Sequence, residues 1–475
     1  MDREKNLVKN TIIYAVGTFG TRFISFIMLP LYTFYLTTKD YGFYDLITTS
    51  LALLVPVITL QLDNGVYRFL LDCKDDENKT NVISSSILTV MLSILSFNIL
   101  YIILTNTIIN FNFKFLILIL INISVLDTIF AQIVRGLKYN VIYSINGVIF
   151  TLIMVISNII LLSIFKLGVE ALIYSNIFAN IVSLFYLNHK AKIINYIKIN
   201  YWIKNLISDM LKYSIPLIAN TISWWVMNVS DRFIINYYLG TSANGIYAVA
   251  NKLPSIITII NYVFYLAWQE TGILEYKSED KSKFYSKMFK NYMNLQFTIV
   301  LILLCTTQLI FRILINAKFN AAYQYIPFLY LGALLYGFSS FYGVVYDSSK
   351  KTKSEAFTAI AGALFNILFN IIMVPYWGIQ AASFSTMVAF LIMWILRVYD
   401  TKKYINIKIE RVSIGIFILL SLIYTYIYYN KNLLLNILAI LVSLFIFIIY
   451  NIALIKRIVI MVKSKIQINM VNMGK

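Results

Sequence analysis

Charged side chains inside long apolar runs are the residues of this sequence best suited to chemistry. Arg22 falls in "AVGTFGTRFISFIMLPLY", Asp45 in "YGFYDLITTS" and Asp127 in "INISVLDTIFAQIV". Asp231 and Arg232 fall in "SWWVMNVSDRFIINYYL", and Lys252 in "GIYAVANKLPSII". A charge in hydrocarbon is costly, so such residues face a cavity, a partner or a water path. Arg22, Arg232 and Lys252 suit a phosphate or other anionic headgroup within a polar cleft. Asp45, Asp127 and Asp231 suit a proton or Na⁺. The plainer alternative is that an acid such as Asp231 only neutralises a nearby base. Trp224 and Trp225 share a helix with Arg232 and offer aromatic faces to sugars, or to lipid and helix packing.

The elements that carry these residues must span a membrane. The chain has 475 residues, 60% of them hydrophobic, only 13% charged, and a mean hydropathy of +0.77. A soluble protein of that size needs more polar surface. Apolar runs of about 20 residues, the length that crosses a bilayer, predict helices near 11–36, 41–63, 82–109, 113–135, 141–166 and 168–188. A second group lies near 214–239, 244–270, 287–315, 325–347, 355–374 and 377–397, and a last pair near 412–429 and 433–455. The expectation is an all-α polytopic membrane protein of about 14 transmembrane helices. "MDREKNLVKN" runs into the first apolar segment without a secretory cleavage pattern, so that span is expected to stay. Lys and Arg gather on the cytoplasmic side of short loops. With the N-terminus inside, 31 of the 40 basic residues fall in inner segments, 6 in outer loops and 3 within spans. Both termini are expected in the cytosol.

This distribution also explains the +19 net charge. The basic residues are spread over many inner loops that meet an anionic leaflet, with no basic domain to follow a nucleic-acid backbone. Cys73 and Cys305 imply neither a disulfide framework nor a metal site, and the single His189 reads as a solvated loop residue. The acidic run "DCKDDENK" at 72–79 lacks the spaced Asp pair of a metal-dependent transferase and reads as a solvated turn. No phosphate loop, zinc motif or nucleophile elbow is present. No catalysis and no bound cofactor are expected.

A short stretch is written twice. "YLTTKDYGFY" from Tyr35 returns as "YLGTSANGIY" from Tyr238, with Gly42 and Tyr44 falling on Gly245 and Tyr247. Six predicted spans separate the copies, an even number, so both point the same way. A second echo pairs Asn158, Gly168 and Ala171 with Asn370, Gly378 and Ala381. Two parallel six-helix lobes related by an axis along the membrane normal follow. The organisation is then an N-terminal lobe at 1–188, a cytosolic amphipathic linker at 189–213, a second lobe at 214–397, a helix pair at 398–455 and a basic tail at 456–475. The linker mixes Lys with Ile, Tyr and Trp, as a helix lying in the inner interface would.

The segments "LPLYTFYLTTKDYGFYDL", "GIYAVANKLPSII" and "NIIMVPYWGIQAASFSTMVAFLI" resemble Wzx-type lipid-linked oligosaccharide flippases of the multidrug/oligosaccharidyl-lipid/polysaccharide (MOP) export superfamily. The resemblance implies a V-shaped two-lobed transporter of the bacterial cytoplasmic membrane. It would carry undecaprenyl-diphosphate-linked oligosaccharide from the cytoplasmic to the outer leaflet by alternating access, with coupling to H⁺ or Na⁺ allowed. Arg22, Arg232 and Lys252 would line its cavity, and polysaccharide polymerase and chain-length machinery would act beside it. Three alternatives stay open: a multidrug exporter of the same superfamily, a relative that moves peptidoglycan's lipid-linked precursor, and a membrane glycosyltransferase or polymerase.

Overall fold

The computed structural model describes residues 26–107 and 112–473. All regular structure among them is helical. The helices are α1 (Leu29–Tyr35), α2 (Thr38–Ile58), α3 (Leu62–Leu70), α4 (Asp76–Thr107), α5 (Lys114–Gly136), α6 (Asn140–Ser163), α7 (Gly168–Ala191) and α8 (Lys204–Leu239). They continue with α9 (Thr241–Lys252), α10 (Pro254–Glu275), α11 (Lys281–Leu314), α12 (Ile326–Ser349), α13 (Thr352–Trp377), α14 (Ile379–Thr401), α15 (Arg411–Asn430) and α16 (Leu433–Met473). Among the described residues, 11 helical segments are long and apolar enough to cross a membrane, or 12 if the bent α9–α10 pair is one span. The difference from the expected fourteen falls on two segments. The first, 11–36, lies mostly outside the described residues, and the second, 214–239, forms part of α8, which is long but does not pass the same test of length and apolarity.

Local chemistry sets several boundaries. The Thr37 hydroxyl accepts from the Asp40 N–H at 3.1 Å and the Asp40 carboxylate accepts from the Thr37 N–H at 3.2 Å, a reciprocal cap that starts α2. The expected span at 41–63 is divided instead: Leu60 and Gln61 take positive φ of 54° and 55°, ending α2 and re-aiming the chain into α3. The expected span at 244–270 bends by 47° where Pro254 starts α10, because proline offers no N–H to continue the preceding helix. The linker is not one interfacial helix. Residues 193–201 form two 3₁₀ turns, Ile193–Tyr196 and Ile199–Tyr201, fastened to two serines of α4. Ser84 donates to the Tyr196 carbonyl at 2.5 Å and accepts from the Lys198 N–H at 3.0 Å. Ser85 does the same for the Tyr201 carbonyl and the Ile203 N–H at 3.2 and 3.0 Å. These backbone groups therefore find partners that a continuous helix would have supplied internally.

The chain divides by compactness between Ala248 and Val249. In the first unit, Val66, Leu120, Val125, Ile129 and Ile133 are fully buried in one aliphatic core. Helix α8 belongs to this unit: the Trp225 indole donates to the Thr49 carbonyl at 2.7 Å, and the Gln61 amide to the Thr221 hydroxyl at 2.8 Å. In the second unit the core is aromatic. Trp268 stacks on Phe341 at 4.4 Å and donates to its carbonyl at 3.1 Å, while Phe264 stacks on Tyr292 at 4.0 Å. Each such pair adds about 0.5–1.5 kcal/mol beyond area burial.

The two copies of the repeated stretch touch at their glycines. A Cβ built on Gly42 would lie 2.0 Å from the Thr241 carbonyl oxygen, and one built on Gly245 would lie 1.8 Å from the Thr38 carbonyl oxygen. Both obstacles are backbone, so neither can rotate away. Gly147, by contrast, meets nothing within 4 Å. Gly42→Ala and Gly245→Ala are therefore expected to lower the melting temperature of the detergent-purified protein and its monodisperse yield, at a cost of about 1–3 kcal/mol. Gly147→Ala in mid-helix should leave both unchanged or slightly raised; thermal-shift chromatography of the three variants checks this.

Candidate functional site

The same glycine crossing brings α2, α8 and α9 close enough for their polar side chains to meet. Asn244 is fully buried and its amide donates to the Gly42 carbonyl at 2.9 Å and to the Asp45 carboxylate at 3.4 Å. Asp45 lies one turn along α2, where its Oδ2 is 2.8 Å from Arg232 Nε. Arg232 Nη1 is 4.0 Å from Asp231 and donates to the Asn228 carbonyl at 3.2 Å. Asp231 accepts a hydrogen bond from the Tyr247 hydroxyl. The side chains of Arg232, Asp45 and Asp231 are 15%, 13% and 8% exposed, so water screens them little.

Two carboxylates thus surround one guanidinium. The cluster has a surplus negative charge when fully ionised, which a proton or a monovalent cation would neutralise. The sequence reading brought Asp45, Asp231 and Arg232 forward as separate candidates, and the fold joins them. It missed Asn244 and Tyr247 as participants, although Tyr247 was already visible as the counterpart of Tyr44 in the repeat. Tyr44 uses its hydroxyl in the opposite sense, accepting from the Asn176 amide at 2.6 Å.

Arg22 is outside the described residues. Lys252 is half-buried at the end of α9, on the far side of the division at residue 248. Trp225 spends its N–H on α2 and packs its ring 5.2 Å from Phe233, a structural role, while Trp224 is 38% exposed. Asp127 on α5 accepts from Ser183 on α7, and Ser183 accepts from the Asn146 amide on α6 at 2.7 Å. Asn146 and Ser183 of this second polar cluster are buried.

The acidic run at 72–79 is solvated as expected, but only its first half is irregular, since Asp76–Lys79 form the first turn of α4. Arg68 pairs with Asp72 at 2.6 Å and Lys79 with Asp76 at 2.7 Å, both on exposed ground. Asp75 accepts from the Asn78 N–H and amide at 2.7 Å each, which holds its carboxyl below the usual range.

Arg397, the last residue of the span expected at 377–397, lies inside a longer helix. Arg397 is 2% exposed within α14; it donates to Thr358 at 3.1 Å and to the Ser339 carbonyl at 2.8 Å, with Glu355 3.7 Å away. Space for the guanidinium comes from Gly343, where a Cβ would lie 2.8 Å from Nη1. The apolar run "FLIMWILRVY" was the available signal.

Comparison with known proteins places this geometry in context. The family model described as polysaccharide biosynthesis protein matches residues 7–268. An uncharacterized membrane protein of Methanocaldococcus jannaschii, MJ1068, is 24% identical over 236 residues, 46% of each chain. The chain thus spans about half the length of the curated relative it matches. Among solved structures, the lipid II flippase MurJ in an inward closed conformation superimposes with a TM-score of 0.71 at 17% identity, covering 94% of this chain and all of that one. An outward-facing multidrug resistance MATE family transporter of the MOP superfamily gives 0.54 at 14% identity, over 84% and 95% of the chains. A MOP superfamily transporter from Pyrococcus furiosus gives 0.55 at 12% identity, over 84% and 95%. The helix order of the MurJ and MATE proteins is thus the fold seen here, and the match over more than half of its length makes this chain a member of the polysaccharide biosynthesis protein family.

Proposed function

We propose that the chain translocates undecaprenyl-diphosphate-linked oligosaccharide from the cytoplasmic to the outer leaflet of a bacterial cytoplasmic membrane. Membership of a polysaccharide biosynthesis family carries this reading, and the MurJ-like course of the helices supports it. A diphosphate-sugar headgroup stripped of water in hydrocarbon is prohibitively unfavourable. A polar path through a membrane-embedded helix bundle supplies substitute hydrogen bonds, and alternating access delivers the headgroup without any covalent step. Both termini then lie in the cytosol, and a polymerase with its chain-length machinery takes up the product.

In this reading Arg22, Lys252 and Trp224 meet the headgroup. Arg232 is neutralised by Asp45 and Asp231, so it contributes to substrate binding only if diphosphate competes with those carboxylates. Proton or Na⁺ uptake by Asp45 or Asp231 would loosen that hold, which ties ion coupling to substrate binding at one cluster. Asp127 is a second candidate for the coupling ion. The surplus carboxylate favours a second reading, export of a cationic compound, as in the multidrug members of the superfamily.

Cells lacking this chain but retaining the glycan-assembly enzymes are expected to accumulate the complete lipid-linked repeat unit, shielded from the outside, as read by lipid mass spectrometry. Unchanged lipid-linked glycan with normal surface polysaccharide, and a new sensitivity to cationic drugs, would instead support export. Within the site, Arg232→Gln should destabilise the purified protein by about 3–5 kcal/mol, because it leaves two buried carboxylates without their cation, whereas Asp45→Asn, which leaves Arg232 beside Asp231, should cost less. The double variant should cost less than the sum by about 0.5–3 kcal/mol, the coupling of residues in contact. Thermal unfolding of the four proteins closes the cycle, and surface glycan in complemented cells should fall in parallel.

A further inference from the structure

The second unit carries a cavity of about 420 Å³ that the function proposed above does not use. Arg312, Lys431, Asn320, Gln308, Tyr323 and Phe311 line it. It lies where the end of α11 and the 3₁₀ segment Ala317–Tyr325 meet the connection between α15 and α16. That junction is firmly built. Tyr323 and Tyr428 stack at 4.0 Å and exchange hydrogen bonds, each hydroxyl donating to the other's carbonyl at 2.9 and 2.5 Å. The Gln308 amide donates to the Lys431 carbonyl at 2.7 Å, and the Lys431 ammonium lies 5.6 Å from the centre of the Tyr323 ring.

The charge around this cavity is one-sided. No Asp or Glu occurs between Asp280 and Asp347 or after Glu410, so no carboxylate of the second unit belongs to the segments that build it. The charge map places this end of the helices outside, where basic residues are otherwise sparse. The dipole of a helix C-terminus favours a cation near Arg312 and near Lys431 separately, but it does not account for their lining one cavity. Gln308 adds a buried side-chain oxygen with no hydrogen-bond partner among the described residues, an acceptor suited to a hydroxyl. The volume falls within the range of small-molecule sites, about 300–1,000 Å³.

We propose that this cavity binds a phosphate group with hydroxyls beside it, presented at the outer surface, with Arg312 and Lys431 holding the anion and Gln308 or Asn320 a hydroxyl. Arg312 can grip two phosphate oxygens at once, whereas Lys431 acts as a point charge. The group could be borne by an outer-leaflet lipid such as phosphatidylglycerol or by a soluble phosphate, and the chemistry of recognition is the same for both. This inference goes beyond the transport reading and does not depend on it.

The test is native mass spectrometry of the full chain, delipidated in detergent and titrated with phosphatidylglycerol, phosphatidylcholine or inorganic pyrophosphate. Wild type should retain phosphatidylglycerol in preference to phosphatidylcholine. Arg312→Ala and Lys431→Ala should each weaken retention about tenfold, equivalent to about 1.4 kcal/mol. Lys318→Ala, an outer cation that does not line the cavity, should leave it unchanged, and thermal unfolding of every variant guards against misfolding. Phosphatidylglycerol loss in the two cavity variants supports a lipid source, and pyrophosphate binding alone with the same variant pattern supports a soluble one. Binding that persists undiminished in the Arg312→Ala/Lys431→Ala double variant, or no binding of either phosphate compound to wild type, overturns the proposal.

Discussion

The first unit depends on the close approach of two backbones at Gly42 and Gly245. With carbonyl oxygens where each Cβ would stand, only hydrogen fits at either position. That approach brings Asn244 within hydrogen-bonding distance of the Gly42 carbonyl and the Asp45 carboxylate. It also lets Tyr247, two residues beyond Gly245, reach Asp231. The charged cluster is thus a consequence of a steric contact.

Burial then decides what that cluster can be. An isolated guanidinium in hydrocarbon would be intolerable, and Arg232 is matched by Asp45 and Asp231. The match overshoots by one negative charge when all three groups are ionised. The same logic operates in the second unit, where Arg397 is held by Thr358, the Ser339 carbonyl and Glu355 in space left by a glycine. At the cavity beside Lys431 the lining charge is positive instead.

Polar residues also govern how the chain is routed. Ser84 and Ser85 use both donor and acceptor capacity to fasten the segment after α7, so the tract preceding α8 is held by α4. The expectation of an interfacial helix there came from its mixture of lysine and apolar residues, a pattern that does not distinguish a helix from turns held by side-chain partners.

Hydropathy, length and loop charge belong to the sequence alone, and they were sufficient for an all-helical membrane protein. The bilayer requires every backbone group in hydrocarbon to be satisfied within its own helix, which makes the span a local property. The repeat at Tyr35 and Tyr238 was equally legible, since both copies write a short break between two helices with similar residues. Breaks within spans were harder: Leu60 and Gln61 have no glycine to announce their left-handed backbone, and Pro254 marks a bend without giving its angle. Which charges meet was not legible at all. Asp45 and Arg232 are separated by 187 positions, and Arg397 looks like the end of a span until α12, α13 and α14 close around it. Only packing decides such pairings, because the cost of a buried charge depends on what surrounds it, and that is set by helices far apart in the chain.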